Sequence, residues 1–463
     1  MHSLSIFGTS SDAGKSTLCM ALTRILHDKG YRVAPFKAQN VSNNARIADD
    51  GGEIAQAQYF AAEAIALPTR CEMNPILLKS GSAGKASLII NGKSGEEQSV
   101  GDYFAGIDQR KPVVRAAFET LQKEFEIVVA EGAGSPVELN LMNEDLSNLY
   151  IALQFKTKII LVADIERGGV FASVWGVYNL LPDELKANVI GVIVNKFRGD
   201  MEFFKEGVTI IEKRFGLKVL GVVPYLPLNI GFEDIQSLEN YRHESSADAL
   251  TVAVVKFPHL SNFTDFEPLI NDPHLHLHFI TSPNQAKNAD LLILPGTRRT
   301  VDDLQWLEQQ GFLPLIKAWE KPLFGLCGGY EMLFERLVDD AGIEQQGTFE
   351  GLGLIAGEIV FEKEKVRRRH TAELFGFAVS GYEIHHGKSA QHPLGYRKGQ
   401  LYGTFLHGIF DNDDWRNAFF TAIRPGYRPF DFTRFRQERI TTFTDQVRNS
   451  LDIDHLIASL QEN

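Results

Sequence analysis

Short apolar runs along the chain alternate with segments in which apolar residues recur every three or four positions. In the N-terminal half, such runs predict strands at residues 3–7, 32–36, 126–130, 158–162, 189–194 and 218–223. The helical spacing of Leu18, Ala21, Leu22 and Ile25 predicts a helix soon after the first strand. Repeated strands separated by helical patterns indicate an α/β fold with a doubly wound parallel sheet.

A second series of strands follows a polar segment at residues 243–248 (HESSAD), which we interpret as a linker between domains. In this series, strands are predicted at residues 251–257, 290–294, 322–324 and 401–410. A chain of 463 residues is too long for a single hydrophobic core. We therefore expect an N-terminal domain, a C-terminal α/β domain and a C-terminal helix, at residues 1–243, 250–440 and 441–463.

Charge and composition narrow the classes of partner. The net charge of −12 argues against nucleic acid as the main partner. The one basic cluster, residues 367–370 (RRRH), is interpreted as a solvated loop. No apolar run reaches the ~18 residues of a membrane span, and we expect no leader before the first strand. We expect a cytoplasmic protein without a membrane partner, and the sequence does not indicate its oligomeric state.

A glycine-rich segment, residues 8–17 (GTSSDAGKST), lies between the first predicted strand and the first predicted helix. This context is typical of a phosphate-binding loop, in which backbone N–H groups surround the phosphates of a nucleotide. The lysine would neutralise the outer phosphates, and Ser16 would offer its hydroxyl to Mg2+. The alternative is a purely structural glycine-rich turn. The ATP-binding candidates of this loop are Gly8, Thr9, Gly14, Lys15, Ser16 and Thr17.

Three polar residues stand at the carboxyl ends of predicted strands, where ligands of parallel α/β sheets bind. Lys37 follows the second strand, and we expect it in the ATP site, although a surface lysine would fit the pattern as well. Glu131 follows the strand at 126–130 and is suited to bind Mg2+ opposite Ser16. Asn195 follows the strand at 189–194 and is a candidate for reading the nucleotide base.

Cys327 lies between Gly325 and Gly329, after the strand predicted at 322–324 and before a helix predicted at 331–335. Small neighbours allow a tight strand-to-helix turn that presents a nucleophile. A helix N-terminus would also favour the thiolate. The alternative is a buried, inert cysteine. The other cysteines, Cys19 and Cys71, are far away in sequence, so the chain carries no disulfide framework or CxxC metal site.

A cysteine nucleophile needs a base, which can lie far away in sequence. We choose His407 because the strand predicted within the stretch 401–410 runs into this histidine and ends there, as expected for a site residue. Gly296 fits a loop that stabilises a tetrahedral oxyanion through backbone N–H groups. Gly328 and Gly329 complete the predicted oxyanion site.

Several motifs carry a family resemblance. Residues 295–297 (PGT), 325–329 (GLCGG) and 403–408 (GTFLHG) together resemble a class I glutamine amidotransferase domain. The phosphate loop, with five residues between its first two glycines, resembles the dethiobiotin-synthetase-like branch of P-loop enzymes. The combination resembles the cobyric acid synthases of cobalamin biosynthesis. Further matching stretches lie at residues 35–44, 50–54, 73–79, 261–269 and 381–385.

The sequence departs from the family pattern at two places. Many class I glutaminases carry an acid two residues after the catalytic histidine, where this chain has Ile409. Glu383 and Asp411 are the candidates for orienting His407 instead. The stretch from 135 to 148 matches loosely, and Asp145 within it is a candidate for contacting the acceptor.

The resemblance implies two coupled reactions. Cys327 would release ammonia from glutamine, and the N-terminal domain would use ATP and Mg2+ to activate a carboxylate of a corrinoid. The implied acceptor is adenosylcobyrinic acid a,c-diamide, amidated at its b, d, e and g side chains to give adenosylcobyric acid. One alternative is cobyrinic acid a,c-diamide synthase, which shares this domain plan. Another, of a different class, is a regulatory ATPase whose glutaminase has decayed.

Overall fold

The computed structural model describes residues 1–80, 85–228, 230–231, 246 and 248–462. The chain divides into two compact units that are not contiguous in sequence. The first unit comprises Met1–Ser42, Ala48–Leu228 and Gln437–Asn463, and the second comprises Asn43–Ile47 and Asn229–Arg436. The expected domains at 1–243, 250–440 and 441–463 were contiguous, and their boundaries stay a prediction. Most of the expected linker, residues 243–245 and 247, lies outside the described residues.

The strands up to residue 228 are short and mostly buried. In chain order they are β1 Leu4–Gly8, β2 Val33–Phe36, β3 Gln39–Val41, β4 Ala45–Ile47, β5 Glu53–Ala55, β6 Ile76–Ser80, β7 Lys85–Ile90, β8 Lys93–Ser99, β9 Ile127–Glu131, β10 Lys158–Asp164, β11 Val189–Phe197 and β12 Val219–Pro224. The helices of this stretch are α1 Lys15–Asp28, α2 Gln56–Glu63, α3 Val100–Ala105, α4 Ile107–Glu124, α5 Leu149–Phe155, α6 Val170–Leu180, α7 Asp183–Lys186 and α8 Lys205–Phe215.

The first unit is built on a parallel sheet in the order β12-β11-β10-β1-β9-β2. Its strands consist mostly of buried apolar side chains, as expected for a sheet that is covered on both faces. Because the strands are parallel, β1, β2, β9 and β11 end at the same edge, which places the phosphate loop beside the polar strand ends. A smaller sheet has the order β3-β6-β7-β8. The predicted doubly wound α/β architecture is confirmed.

The second half of the chain contains the remaining elements. The strands are β13 Leu250–Val255, β14 Leu275–Ile280, β15 Leu291–Leu294, β16 Leu323–Leu326, β17 Phe334–Asp339, β18 Gly347–Glu350, β19 Ile355–Leu374, β20 Phe377–Lys388, β21 Gly395–Lys398 and β22 Leu401–Thr404. The helices are α9 Glu267–Ile270, α10 Thr300–Gln309, α11 Phe312–Lys317, α12 Gly328–Glu331, α13 Asp413–Ile423, α14 Phe432–Ser450 and α15 Ile453–Gln461.

The second unit has a central sheet in the order β14-β13-β15-β16-β22-β21, in which only β21 runs antiparallel to its neighbour. Phe324, on β16, is fully buried and packs edge-on against Trp415 and Phe419. This packing fixes the strand that delivers Cys327. A second sheet has the order β18-β17-β19-β20. Within the part of the chain that the structure describes, every helix is too short or too polar to cross a membrane.

Two local predictions for this half are wrong. The helix expected at 331–335 is the single turn α12, and Phe334 already begins strand β17, because Phe334 and Leu337 face the core. The basic cluster at 367–370 is part of the long strand β19, which pairs with β20, and is no loop.

Candidate active sites

The glycine-rich segment forms a tight loop from β1 into α1. Gly14 has a φ of 93°, and a Cβ atom there would lie 2.2 Å from Nδ2 of Asn195, so only glycine fits this position. A Cβ atom on Gly8 would lie 2.7 Å from Nζ of Lys15. The Lys15 side chain is buried, and its Nζ donates to the carbonyl of Ser10 at 3.0 Å. The lysine therefore lies folded against the loop that it is expected to serve.

Glu131 is the centre of the polar group beside this loop and is only 1% exposed. Its Oε1 accepts from the hydroxyl of Ser16 at 2.7 Å and from Nζ of Lys37 at 2.6 Å. Its Oε2 accepts from Nε2 of Gln58 at 3.0 Å. The structure therefore brings together three residues singled out from the sequence, Ser16, Lys37 and Glu131. Sequence reasoning missed Gln58, which lies on helix α2.

The oxygen atoms of this group are suitable ligands for Mg2+. A hydroxyl and a carboxylate are hard oxygen ligands, and Mg2+ completes its octahedron mainly with water and phosphate oxygens. Oε1 of the buried Gln58 has no hydrogen-bond partner among the described residues, so an acceptor is left over next to Glu131. No cluster of three or more histidine, cysteine, aspartate or glutamate side chains in the described ranges could hold a metal ion by itself. The residues thus fit an ion that arrives with a nucleotide.

The remaining N-terminal candidates make structural contacts. Nδ2 of Asn195 donates to the carbonyl of Ala13 at 2.8 Å, so this side chain braces the phosphate loop. Thr17 donates through its hydroxyl to the carbonyl of Gly14, and Thr9 donates through its N–H to β10. The Asp145 carboxylate accepts from backbone N–H groups of the turn that precedes α5. Base reading by Asn195 and an acceptor role for Asp145 stay predictions.

The cysteine turn has the strained geometry of a nucleophile elbow. Cys327 has φ 51° and ψ −113°, a backbone conformation that costs a non-glycine residue about 1–3 kcal/mol. Added Cβ atoms would collide at each neighbouring glycine: at Gly325 with Leu333, at Gly328 with Thr297 and at Gly329 with the carbonyl of Leu294. The glycines are therefore required by close packing around the turn.

The side chains of Cys327 and His407 converge. A Cβ atom built on Gly296 would lie 3.2 Å from Cε1 of His407 and 3.7 Å from Cβ of Cys327. Gly296 thus borders both side chains, and any larger residue would intrude between them. His407 itself lies three residues beyond the end of β22, and its backbone pairs with Tyr382 through two hydrogen bonds.

Asp265 orients His407. Its Oδ2 lies 2.7 Å from Nδ1 of His407, and its Oδ1 accepts from the N–H of Gly408 at 2.7 Å. Because a carboxylate only accepts, the imidazole proton lies on Nδ1, which leaves Nε2 able to accept a proton. Cys327, His407 and Asp265 therefore form a cysteine-histidine-aspartate constellation of the kind used in acyl transfer.

Neither of the orienting acids expected from the sequence has this role. Glu383 is fully buried and accepts from Arg368 at 2.5 Å and from His370 at 2.6 Å, both on the neighbouring strand β19. Burial by itself would raise the pKa of Glu383, but hydrogen bonds from His385 and Arg368 lower it to about 2. The Asp411 carboxylate instead accepts from Arg46. The missed signal was the family-like run at 261–269, which contains Asp265.

The surroundings of Cys327 disfavour a thiolate. Burial raises the pKa of Cys327, the Glu331 carboxyl group raises it further, and the N–H of Gly328 opposes them only in part. Burial therefore outweighs the gain expected from a helix N-terminus, and the helix that follows is only a single turn. A protonated thiol needs a nearby base, and His407, which borders Gly296 together with Cys327, is the residue predicted for that role.

One predicted oxyanion donor is already engaged. The N–H of Gly329 donates to the carbonyl of Pro295 at 3.0 Å, so it is no free donor in this structure. The N–H of Gly328 faces the sulfur of Cys327. Oxyanion stabilisation by Gly296 and Gly328 stays a prediction.

We expect Asp265→Asn to lower kcat for glutamine hydrolysis about 100-fold. An asparagine can donate to Nδ1 of His407, which moves the imidazole proton to Nε2 and removes the base. Steady-state release of glutamate measures the effect. Asp339→Asn is the matched control, because Asp339 is equally buried but accepts only from backbone N–H groups of residues 343–345. Equal losses in both variants would contradict an orienting role for Asp265.

Two family models match the chain, one in each half. The profile of the CobQ/CobB/MinD/ParA nucleotide binding domain matches residues 4–230. The profile of the CobB/CobQ-like glutamine amidotransferase domain matches residues 251–415. The two matches contain, respectively, the Glu131 group and the Cys327 constellation.

Curated relatives match along the whole chain. A cobyric acid synthase of Acinetobacter baylyi is 51% identical, and the alignment covers 100% of both chains. A cobyric acid synthase of Ruminiclostridium cellulolyticum is 37% identical over 99% of this chain and 96% of the relative. A solved structure of a glutamine amidotransferase aligns with 37% of this chain and 97% of that chain, at 15% identity and a TM-score of 0.29, which is too low to add to these matches.

Proposed function

Because the chain belongs to the cobyric acid synthase family, we propose that it amidates the b, d, e and g carboxylates of adenosylcobyrinic acid a,c-diamide and so produces adenosylcobyric acid. Membership of this family makes the protein a glutamine-hydrolysing ligase that forms amide bonds. The observation that supports the acceptor is the 51% identity over the full length, since it includes both catalytic halves.

In the proposed glutaminase reaction, Nε2 of His407 takes the proton of the Cys327 thiol as the sulfur attacks the side-chain amide of glutamine. Asp265 holds the imidazole in the required tautomer and stabilises its positive charge. Backbone N–H groups at Gly296 and Gly328 stabilise the oxyanion. His407 then donates its proton to the leaving ammonia, and water hydrolyses the thioester to glutamate.

In the proposed synthetase reaction, ATP activates a carboxylate that would otherwise be a poor electrophile with a poor leaving group. The phosphate loop binds the nucleotide, and Lys15 and Lys37 offset negative charge on the transferring phosphoryl group. Ser16 and Glu131 would hold Mg2+, which supplies further charge neutralisation when bound. Ammonia then displaces phosphate from the activated carboxylate and leaves an amide.

The location and partners belong to the same proposal. A corrinoid biosynthetic enzyme with a net charge of −12 fits the cytoplasm, with small molecules rather than nucleic acid as its ligands. No membrane partner is proposed.

The acceptor distinguishes this function from its closest enzymatic rival. We would incubate the protein with ATP, glutamine and either adenosylcobyrinic acid a,c-diamide or cobyrinic acid, and measure product masses. The proposal predicts amidation of the diamide at its b, d, e and g side chains. Amidation of only the a and c carboxylates of cobyrinic acid would identify a diamide synthase instead. A regulatory ATPase with a decayed glutaminase would amidate neither compound.

A further inference from the structure

A short segment from the N-terminal part of the sequence, Asn43–Ile47, is a component of the C-terminal unit. It begins just after β3 and includes β4. Its apolar end, Ile47, is buried in a small cluster with Tyr382 and Ile384 of strand β20. The glutaminase unit therefore contains residues that lie some two hundred positions before the rest of it in the sequence.

The segment is hydrogen-bonded to the loop that carries Asp265. Thr264 donates through its hydroxyl to Oδ1 of Asn44 at 3.2 Å. Nδ2 of Asn262 donates both to the carbonyl of Ala45 at 3.2 Å and to the hydroxyl of Tyr382 at 2.8 Å. These contacts tie the segment to residues just before Asp265, whose carboxylate orients His407.

A further bond ties the segment to the loop at Gly296. Nη1 of Arg298 donates to Oδ1 of Asn43 at 2.7 Å. Arg298 lies two residues after Gly296, the glycine that borders both Cys327 and His407. The segment thus contacts both loops that surround the reacting side chains.

Arg46 is the charged residue of the segment and is 8% exposed. Its Nη1 donates to Oδ2 of Asp411 at 3.4 Å, in the turn that follows His407. Its guanidinium group lies 5.5 Å from the centre of the Tyr382 ring. That ring stacks on the imidazole of His407, with centroids 5.1 Å apart and planes 19° apart. Arg46 therefore contacts the surroundings of His407 on two sides.

Arg46 is one of two arginines that oppose the negative charges around Asp411. Asp411 faces the carboxylates of Asp265 and Glu267 as well as two arginines, Arg46 and Arg436. Its side chain keeps 34% exposure, but burial of the carboxyl group raises its pKa to about 6, with Arg46 the stronger of the two opposing arginines. Loss of Arg46 would raise the pKa of Asp411 further, so this group would stay protonated to higher pH.

We propose that Arg46 is a positioning residue of the glutaminase, which binds Asp411 in the turn after His407 and holds the Tyr382 ring against the imidazole so that Nε2 faces Cys327. Residues 43–47 thereby complete a site whose reacting groups all lie beyond residue 260. The inference rests on the proposed glutaminase roles of Cys327 and His407.

The test uses the full-length protein. Arg46→Ala lowers kcat for glutamine hydrolysis about tenfold, with KM changed by less than about twofold, because orientation is lost rather than glutamine binding. The acid limb of the kcat–pH profile moves to higher pH, because Asp411 then keeps its proton longer. Arg46→Lys recovers part of kcat, since it restores the charge without the planar group that covers Tyr382.

Three comparisons keep the result interpretable. Arg336→Ala, which removes an exposed ion pair with Glu358, leaves glutamine hydrolysis unchanged. Adding Asp411→Asn to Arg46→Ala removes the group that titrates, so the shift of the acid limb disappears. Corrinoid amidation with ammonium salts in place of glutamine stays at the wild-type rate in Arg46→Ala, because it bypasses Cys327.

Three results would contradict a positioning role for Arg46. An unchanged kcat in Arg46→Ala, an acid limb that still shifts in the double variant, or an equal loss of ammonia-dependent amidation would each overturn the positioning role. If the wild-type protein hydrolysed no glutamine, the proposed function and this inference would both be overturned. If the wild-type protein were active and Arg46→Ala had the same kcat, this inference alone would be overturned.

Discussion

Cys327→Ser is expected to abolish glutamine-dependent amidation, with a loss of at least about a thousandfold, while amidation supported by ammonium salts continues. Serine keeps the size of the side chain in the strained turn, but its hydroxyl is a far weaker nucleophile than a thiol activated by His407. The ammonia-dependent reaction needs only ATP, the acceptor and the first unit. Parallel assays with glutamine and with ammonium chloride, followed by product mass, measure both activities.

Cys71→Ser serves as the matched control for this prediction. Cys71 is another buried cysteine, in the first unit. Its thiol donates a hydrogen bond to Oδ1 of Asp50 at 3.2 Å, and burial raises the pKa of this thiol. A hydroxyl can replace it in that contact, so both activities are expected to stay at wild-type levels. Glutamine-dependent amidation that survives in Cys327→Ser would remove the thiol from the mechanism.

Glu131→Gln is expected to lower amidation about a thousandfold with either nitrogen source, whereas glutamine hydrolysis without acceptor persists. The amide keeps the shape of the side chain and can still accept from Ser16 or Lys37. It lacks the negative charge that would hold Mg2+ and that pairs with Lys37 at 2.6 Å. Phosphate release and glutamate release, measured separately, distinguish the two half-reactions.

The matched control is Glu126→Gln, which makes the same change at the residue just before strand β9 begins. Glu126 is exposed and pairs with Arg32 at the surface, so amidation should be unaffected. If Glu131→Gln retained full ATP-dependent amidation, the group around the phosphate loop would not be the synthetase site. Titration of Mg2+ against the residual rate adds a second measure, since a lost ligand raises the concentration required.

Local motifs predicted the elements of both sites because their geometry is set by neighbouring residues. The glycines at 8 and 14 make room for the phosphate loop, and those at 325, 328 and 329 make room for the cysteine turn. His407 is predicted because it follows a strand that ends close by, at Thr404. At these positions, residues that are close together in sequence are also close together in space.

The supporting residues could not be found in this way because the fold brings them from afar. Asp265 and His407 are 142 residues apart, and nothing in the spacing of either predicts their contact. Gln58 reaches Glu131 from helix α2, and Arg46 enters the second unit from the N-terminal part of the sequence. The helix expected at 331–335 failed for a related reason: Phe334 and Leu337 pack into the core from a strand, and this tertiary packing overrides a local helical pattern.

The most direct test of the coupled reaction is the fate of the amide nitrogen of glutamine. Wild-type protein would be incubated with ATP, adenosylcobyrinic acid a,c-diamide and glutamine labelled with 15N in its side-chain amide, and the corrinoid product analysed by mass spectrometry. We predict 15N in the new amides at the b, d, e and g positions. A corrinoid without new amides, or with new amides that carry no 15N, would contradict the proposal that Cys327 releases from glutamine the nitrogen that the ATP-dependent half fixes.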